Sequence, residues 1–524
     1  MPLAALCWDG GVAAAAVEPY SESEAGIIRN GVFAALPDAF GISLGYTNDP
    51  TTFKNRSTPA PSTRSMACKA QTSGRIYLHS GPRTELHEII RQEYARHQDR
   101  AVPRNTLRQA VQGMLDTFAY QNFDAAAGEY TNRCCRPPRE TEMRPWRLVT
   151  EIGWTGGGVL AYPLVLCRDA LGADAEAPLA AAMSGEQLFD RIADAYNENS
   201  GLLNDLMAPN AAGSQVNGWW TGYGLVKDCH CAYTVGSAVH YLTKTMDYLH
   251  QNGKPCPAKW MDAAQKVLHT VMDLQRADGA FGYTYSTQER KVLDWSGFAG
   301  CWFAPALVYL YRLTGEERCL HSAEKALDYY HTFVKDLNCY GTPMDTWKAV
   351  DEEGNLAFMR GSRLLYEQTG KAEFLQYMKD SAGYEFLWRY GYKTYPEHTP
   401  LNQGWSACGG AVTSVSNPHI HPMGVIIDTD LRYLARVTGD GYYASRAADS
   451  AAWMLQCLEL YPAATGYGRY GILSERWCPS DGLDVERFSD GRPFSSWFSH
   501  NLWASACVLE AACELLLEIE HKKG

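Results

Sequence analysis

No stretch of the 524-residue chain approaches the ~20 consecutive apolar residues that a membrane-spanning helix requires, so no membrane partner is expected. Nor does any Cys-x-x-Cys pair occur among the 16 cysteines. Cys134-Cys135 and Cys229-His230-Cys231 lack the second half-site of a structural zinc centre, which leaves no metal or other cofactor to expect. Long basic runs are missing too. With 47 Lys and Arg against 59 Asp and Glu, the net charge of −12 argues against nucleic acid as a partner. The N-terminus has no basic leader: the short apolar run at 12–17 follows Asp9 and makes a poor signal peptide. Cysteines such as Cys319, Cys457, Cys507 and Cys513 fall on apolar helix faces, so the expectation is a cytoplasmic protein with reduced thiols. A homo-oligomer stays open.

What the chain has in plenty is aromatic surface, 31 Tyr and 15 Trp, a load suited to flat ligands. Residues 1–100 lack helical periodicity, and Gly, Pro, Ser and Thr crowd 48–63. Short runs there, GVFAALP and GRIYLHSG, read as strands, and helical periodicity begins only at Thr84. We take 1–100 as a partly β N-terminal appendage and 101–524 as the main domain. Within the latter the apolar spacing predicts twelve helices, at 105–121, 154–172, 185–207, 228–252, 257–276, 296–314, 317–334, 351–369, 371–389, 421–438, 440–459 and 498–520.

Three joints repeat: YLYRLTGEERCLHSAEKALDYY, RLLYEQTGKAEFLQYMKDSAGYEF and RYLARVTGDGYYASRAADSAAWML. Each ends a helix in Thr-Gly, at Gly315, Gly370 and Gly439, where glycine adopts the left-handed conformation that closes a helix. Helices on the near side of each joint are apolar nearly all round, and those on the far side are amphipathic. Stacked pairs of inner and outer helices, six of each, describe an all-α (α/α)6 barrel. Its inner-to-outer turns are short. Its outer-to-inner connections are long, roughly fifteen to forty residues, and gather where the inner helices begin.

Each long connection sets tryptophan beside polar or acidic residues: Glu151 and Trp154; Trp219, Trp220, Asp228 and His230; Asp294 and Trp295; Asp345, Trp347, Asp351 and Glu352; Trp405, Asn417, His419 and His421; Glu475, Arg476, Trp477, Trp497 and His500. Indole faces stack on sugar rings while carboxylates, amides and guanidinium groups bind hydroxyls, so an oligosaccharide is the expected occupant. Hydrolysis of a glycosidic bond needs one protonated and one ionised carboxyl. Glu475 is the first choice for the ionised partner. For the acid, Asp345 ranks first, ahead of Asp351, Glu352 and Asp294, because apolar neighbours raise a carboxyl's pKa. Tryptophans that plug the barrel end and aspartates that cap helices are the plainer alternative.

The run LSERW followed by PFSSWFSHNLWASA resembles the Leu-x-Glu-Gln and Trp-Ser-His-Ala pattern of glucoamylase-like and related (α/α)6 glycosidases. That resemblance implies that Glu475 is a general base. The segment DTWKAVDEEG is similar to the family's Asp-Leu-Trp-Glu-Glu loop, with Lys348 where the family's general acid stands. Unsaturated glucuronyl hydrolases and uronic-acid glycosidases are similar in architecture, and Lys227, Lys348, Arg360, Arg363 and Arg476 are the cations available for a sugar carboxylate. A lyase or sugar epimerase working through His419 and His421 is the second reading, and a non-catalytic sugar-binding barrel the third. Residues 275–279 with Phe281 resemble the Q-x-x-D-G-x-F/W turn of terpenoid cyclases, but no D-D-x-x-D motif accompanies it, and Asp278 is expected to buttress a turn.

Overall fold

The computed structural model describes the chain outside residues 1–2, 19, 24–25, 30–31, 37–38, 44–51, 54–55, 58–72, 98–99, 125–128, 135–143, 147–149, 154–155, 173–175, 208–214, 217, 222–223, 342–347, 394–405, 416, 459, 461–470, 472, 476, 478–498 and 522–524. The apolar run at 12–17 lies in a strand, Gly11–Val17, at the centre of an antiparallel sheet between Leu3–Trp8 and Gly74–Ser80. Val12 and Ala14 point from that strand onto Leu86 and Ile89 of helix α1 (Glu85–Arg96), a small core of their own. Helix α1 is bolted to the remaining helices by Tyr94 on Asp449 at 2.5 Å and the Arg91 fork on Asp440 at 2.7 and 2.9 Å.

Twelve further helices follow: α2 (Leu107–Thr117), α3 (Gly158–Leu171), α4 (Glu176–Asp194), α5 (Ala232–Gln251), α6 (Ala258–Asp273), α7 (Phe303–Thr314), α8 (Glu317–Lys335), α9 (Glu353–Thr369), α10 (Ala372–Trp388), α11 (Asp428–Thr438), α12 (Gly441–Cys457) and α13 (Leu502–His521). They pack as six antiparallel hairpins, with α13 returning to α2. Helices α3, α5, α7, α9, α11 and α13 form a closed inner ring, which is the (α/α)6 barrel. The partition follows the apolar pattern. Helix α5 buries almost its whole circumference, whereas α8 buries one stripe, Cys319, Ala323, Ala326, Leu327, Tyr330 and Val334. Gly315, Gly370 and Gly439 all take left-handed φ, at 73°, 64° and 69°, and the outer helix starts two residues later.

Several starts differ from the expected windows, and the helix expected from 185 begins already at Glu176. Residues 228–231 enter a strand, Cys229–Cys231, because their backbone pairs with Thr284–Ser286 instead of coiling. Short 3-10 turns, Ala299–Trp302 and Met423–Ile427, lead into α7 and α11. The window at 185–207 ends early, since the polar turn around Gly201, at φ 72°, folds Tyr196–Asn197 back on Leu202–Leu203. Among the described residues no helix is long and apolar enough to cross a membrane.

Candidate functional site

Six connections lead from an outer helix to the next inner one, and backbone pairing joins each to its neighbour. Arg133, in the first, pairs with His500 of the sixth, and Thr150–Glu151 with Leu206–Met207 of the second. Cys229–Cys231 pairs with Thr284–Ser286 of the third, whose Phe298 N–H donates to the Tyr340 carbonyl of the fourth at 2.7 Å. Asp351 bridges Ser414 of the fifth, and Ile420 and Trp477 of the sixth exchange both hydrogen bonds, at 2.8 and 2.9 Å. The pairing therefore runs full circle as a collar around the N-terminal ends of the inner helices, where free N–H groups and the helix dipoles favour negative charge.

This collar brings Glu475, half-buried two residues before Trp477, beside the strand that carries His419 and His421. Both histidines are buried. His421 Nδ1 donates to the His419 carbonyl at 2.8 Å, and its ring lies over Trp503 with centroids 5.9 Å apart. Asn417 opens the same strand.

Below the collar, residues not singled out from the sequence are buried at the starts of the inner helices. Tyr233, on the first turn of α5, reaches four other elements of the inner ring: its hydroxyl meets Glu353 of α9 and the Met423 sulfur at 4.0 Å, its ring faces Trp302 at 5.7 Å, and Cys507 of α13 lies close by. The side chain thus reaches from α5 to the start of α9 and to the turns that lead into α7 and α11. Burial, then the Glu353 carboxylate, push its phenol well above the usual range. At the starts of the inner helices the Trp302 indole N–H, the Thr234 hydroxyl and the Asn501 side-chain oxygen are buried without hydrogen-bond partners. Their common signal was position, the first residues of an inner helix.

Other expected site residues have different company. Asp351 caps α9 by accepting from the Gly354 N–H at 3.1 Å. Glu352 is closed into the wall against Glu385; burial and that neighbouring carboxylate raise its pKa well above the usual range, so it keeps its proton. Arg389 binds Glu385 at 2.8 Å and Asp428 at 3.0 Å on the far side of this cluster. Asp294 holds Lys348 at 2.5 Å and two donors of Ser296 at 2.8 Å; these offset its partial burial and lower its pKa, which favours the ionised form over a proton donor. Trp295 lies under the Arg276 guanidinium at 5.2 Å, and Arg276 forks onto Asp278, whose carboxylate also accepts from Ala280 N–H and so holds the turn. Trp219 is 2% exposed and offers no free face.

His230 is buried in a relay: Nδ1 donates to Asp205 at 2.7 Å and Nε2 accepts from the Ser200 hydroxyl at 2.9 Å, while Asp205 also receives the Cys231 N–H at 2.9 Å. Sealed from solvent, these bonds pin the 195–207 loop to the collar. Arg360 and Arg363 lie roughly 10 and 15 Å down α9 from its start, by its rise per residue, and pair with Asp430 at 2.8 and 3.1 Å. They therefore cannot serve a ligand at the collar. Trp154, Asp345, Trp347, Trp405, Arg476 and Trp497 lie outside the described residues, as do the side chains of Trp220, Asn417 and His500. Among the described residues no group of three His, Cys, Asp or Glu is placed to hold a metal.

No family model matches the chain, and no curated protein matches it in sequence. Solved structures do match in shape. A family 76 glycoside hydrolase from a bovine Bacteroides thetaiotaomicron strain is 10% identical, with 99% of this chain and 98% of that one covered, at a TM-score of 0.50. The family 76 α-mannanase of Bacteroides thetaiotaomicron is 13% identical over 80% of this chain and 98% of its own, and a D-mannose isomerase 11% identical over 79% and 97%, both at 0.50. What this chain shares with them is the (α/α)6 barrel.

Proposed function

We propose that the protein is a carbohydrate-active enzyme and, within that class, a glycoside hydrolase that cleaves short oligosaccharides at the collared end of the barrel. The observation that carries this reading is the closed collar, which sets Glu475 beside His419 and His421 above Tyr233, Trp302 and Glu353 at the starts of the inner helices. That two solved barrels of the same fold are glycoside hydrolases supports it. Glu475 is the rim carboxylate that activates water; Asp345, ranked first from the sequence, and Glu353, set against Tyr233 by the fold, are the candidates for the proton donor. The mouth cation Lys348 is taken up by Asp294, so neutral sugars come before uronic acids, for which Lys227 and Arg476 remain. No disulfide joins any two of the twelve described cysteines, which suits a reducing compartment such as the cytoplasm.

The test is turnover of an oligosaccharide panel. Glu475→Gln is expected to lower kcat by roughly 10²–10⁴-fold, the usual worth of a positioned acid or base, with sugar affinity retained. Unchanged turnover in Glu475→Gln and in both donor variants, Asp345→Asn and Glu353→Gln, would refute hydrolysis at this site. The adjacent histidines favour a second reading, an isomerase or epimerase; incubation of aldoses in D2O decides it, since proton abstraction puts solvent deuterium on the sugar and hydrolysis does not.

A further inference from the structure

The opposite end of the barrel, where the six inner helices finish, holds an open cavity of about 330 Å3. Every inner helix contributes to its wall, and among the described residues five cationic and four anionic side chains line it. Two of the cations, Arg312 and Arg436, stand in the last turns of α7 and α11, where the helix carbonyl ends attract positive charge. Most of the charges are paired: Lys244 with Glu514 at 2.7 Å, Arg312 with Glu367 at 2.7 Å and Arg436 with Glu518 at 2.8 Å.

What the dipoles leave unexplained is the hydrogen-bonding capacity that the pairs do not use. Arg360, only 7% exposed, gives Nε to Asp430 and Nη2 to the Ile426 carbonyl, while its Nη1 has no partner. Arg363 spends Nε on Glu367 and Nη1 on Asp430, and its Nη2 is likewise unbonded. The Tyr309 hydroxyl, on a side chain 5% exposed, has no partner either. A cavity that offers spare donors beside carboxylates suits groups that accept and donate at once. An anion would meet Asp247, Glu367, Glu514 and Glu518 at close range, and an apolar ligand would strand the guanidinium groups. A hydroxyl accepts a hydrogen bond from the arginine and donates one to the carboxylate, leaving both ion pairs in place.

We propose that this cavity is a second carbohydrate site, for a neutral sugar of one or two rings, separate from the collared mouth. Its volume lies at the low end of ligand pockets, too small for a longer oligosaccharide. The site does not depend on the chemistry assigned to the mouth. Because its walls come from all six inner helices, an occupant would tie the lower barrel together and signal the sugar supply without entering the reaction.

Hydrogen exchange with D-mannose, D-glucose, cellobiose and inorganic phosphate as probes tests this on the full chain. At least one sugar is expected to slow exchange in segments 244–252, 360–367 and 510–518, and to do so equally in the mouth variant His421→Ala. Tyr309→Phe removes a hydroxyl that bonds nothing in the protein, so it should fold normally and weaken that protection about fivefold, the worth of one neutral hydrogen bond. Leu517→Trp, which fills the opening, should weaken it roughly tenfold or more. Protection confined to the collar, protection by phosphate in place of sugars, or no protection of the lower segments in the wild type would each overturn the proposal.

Discussion

At the scale of single residues, the Glu352, Glu385 and Asp428 cluster shows how a buried acid becomes a stability term. Three carboxyls share one guanidinium, Arg389, in a site closed to water. Burial pushes Asp428 up to about 7 despite Arg389, and burial with Glu385 raises Glu352 well above the carboxylate range. In both the folded state prefers the protonated form. The stability so gained is complete below the ordinary carboxylate pKa of about 4 and is lost as the pH rises through the folded values, about 7 for Asp428 and a raised value for Glu352. Each such proton contributes a slope of up to about 1.4 kcal/mol per pH unit within its window. Glu352→Gln keeps the shape and removes the charge, so urea unfolding from pH 5 to 8 should show a shallower decline in the variant, by up to that slope. Parallel curves for variant and wild type would mean that Glu352 is ionised in the fold.

At the scale of elements, the Thr-Gly joints make a cleaner case, because nothing surrounds them. A Cβ placed on Gly315, Gly370 or Gly439 meets nothing within 4 Å, so alanine there costs only its own left-handed conformation, about 1 kcal/mol each. The costs should add, since the joints sit on different hairpins. Gly409 has a similar φ of 98°, but a Cβ there would lie 2.2 Å from the Asp449 carbonyl oxygen, and its alanine variant should lose far more than any joint variant. Denaturant midpoints of the four variants check this ordering. These joints were readable in the chain because helix periodicity, left-handed glycine and a two-residue turn are all local. All twelve barrel helices were readable for the same reason. The strand at 229–231 was not, because its partner lies more than fifty residues on at 284–286, and no local pattern announces a pairing at that distance. Side-chain fate was hidden likewise: Glu352 and Trp219 sit beside collar residues in sequence, yet tertiary packing turned both inward. Tyr233 and Glu353 stand on the first turns of their helices, and only the closing of the ring sets them face to face.

At the scale of the whole molecule, the collar is a second ring laid over the first and held by different forces. The barrel below it is closed by apolar packing among six helices. The collar is closed by backbone hydrogen bonds between connections, with one or two bonds at some steps among the described residues. Rings held this way open at their thinnest joint, and elements with few buried contacts open before a packed core does. Among the described residues the step between the fifth and sixth connections runs through Ile420 and Trp477, two residues from Glu475. Ile420→Pro deletes the Ile420 N–H that donates to the Trp477 carbonyl, while Ile420→Val trims the same side chain, at about 1 kcal/mol, and keeps the bond. Exchange at 411–421 and 473–477 should accelerate at least tenfold in the proline variant and little in the valine control, with α3, α5 and α7 unchanged in both. Turnover should fall in the proline variant alone, since Glu475 loses its register against the histidine strand. If exchange instead rises evenly through the inner helices, collar and barrel unfold as one unit, and the mouth owes its geometry to the core instead of to its own ring.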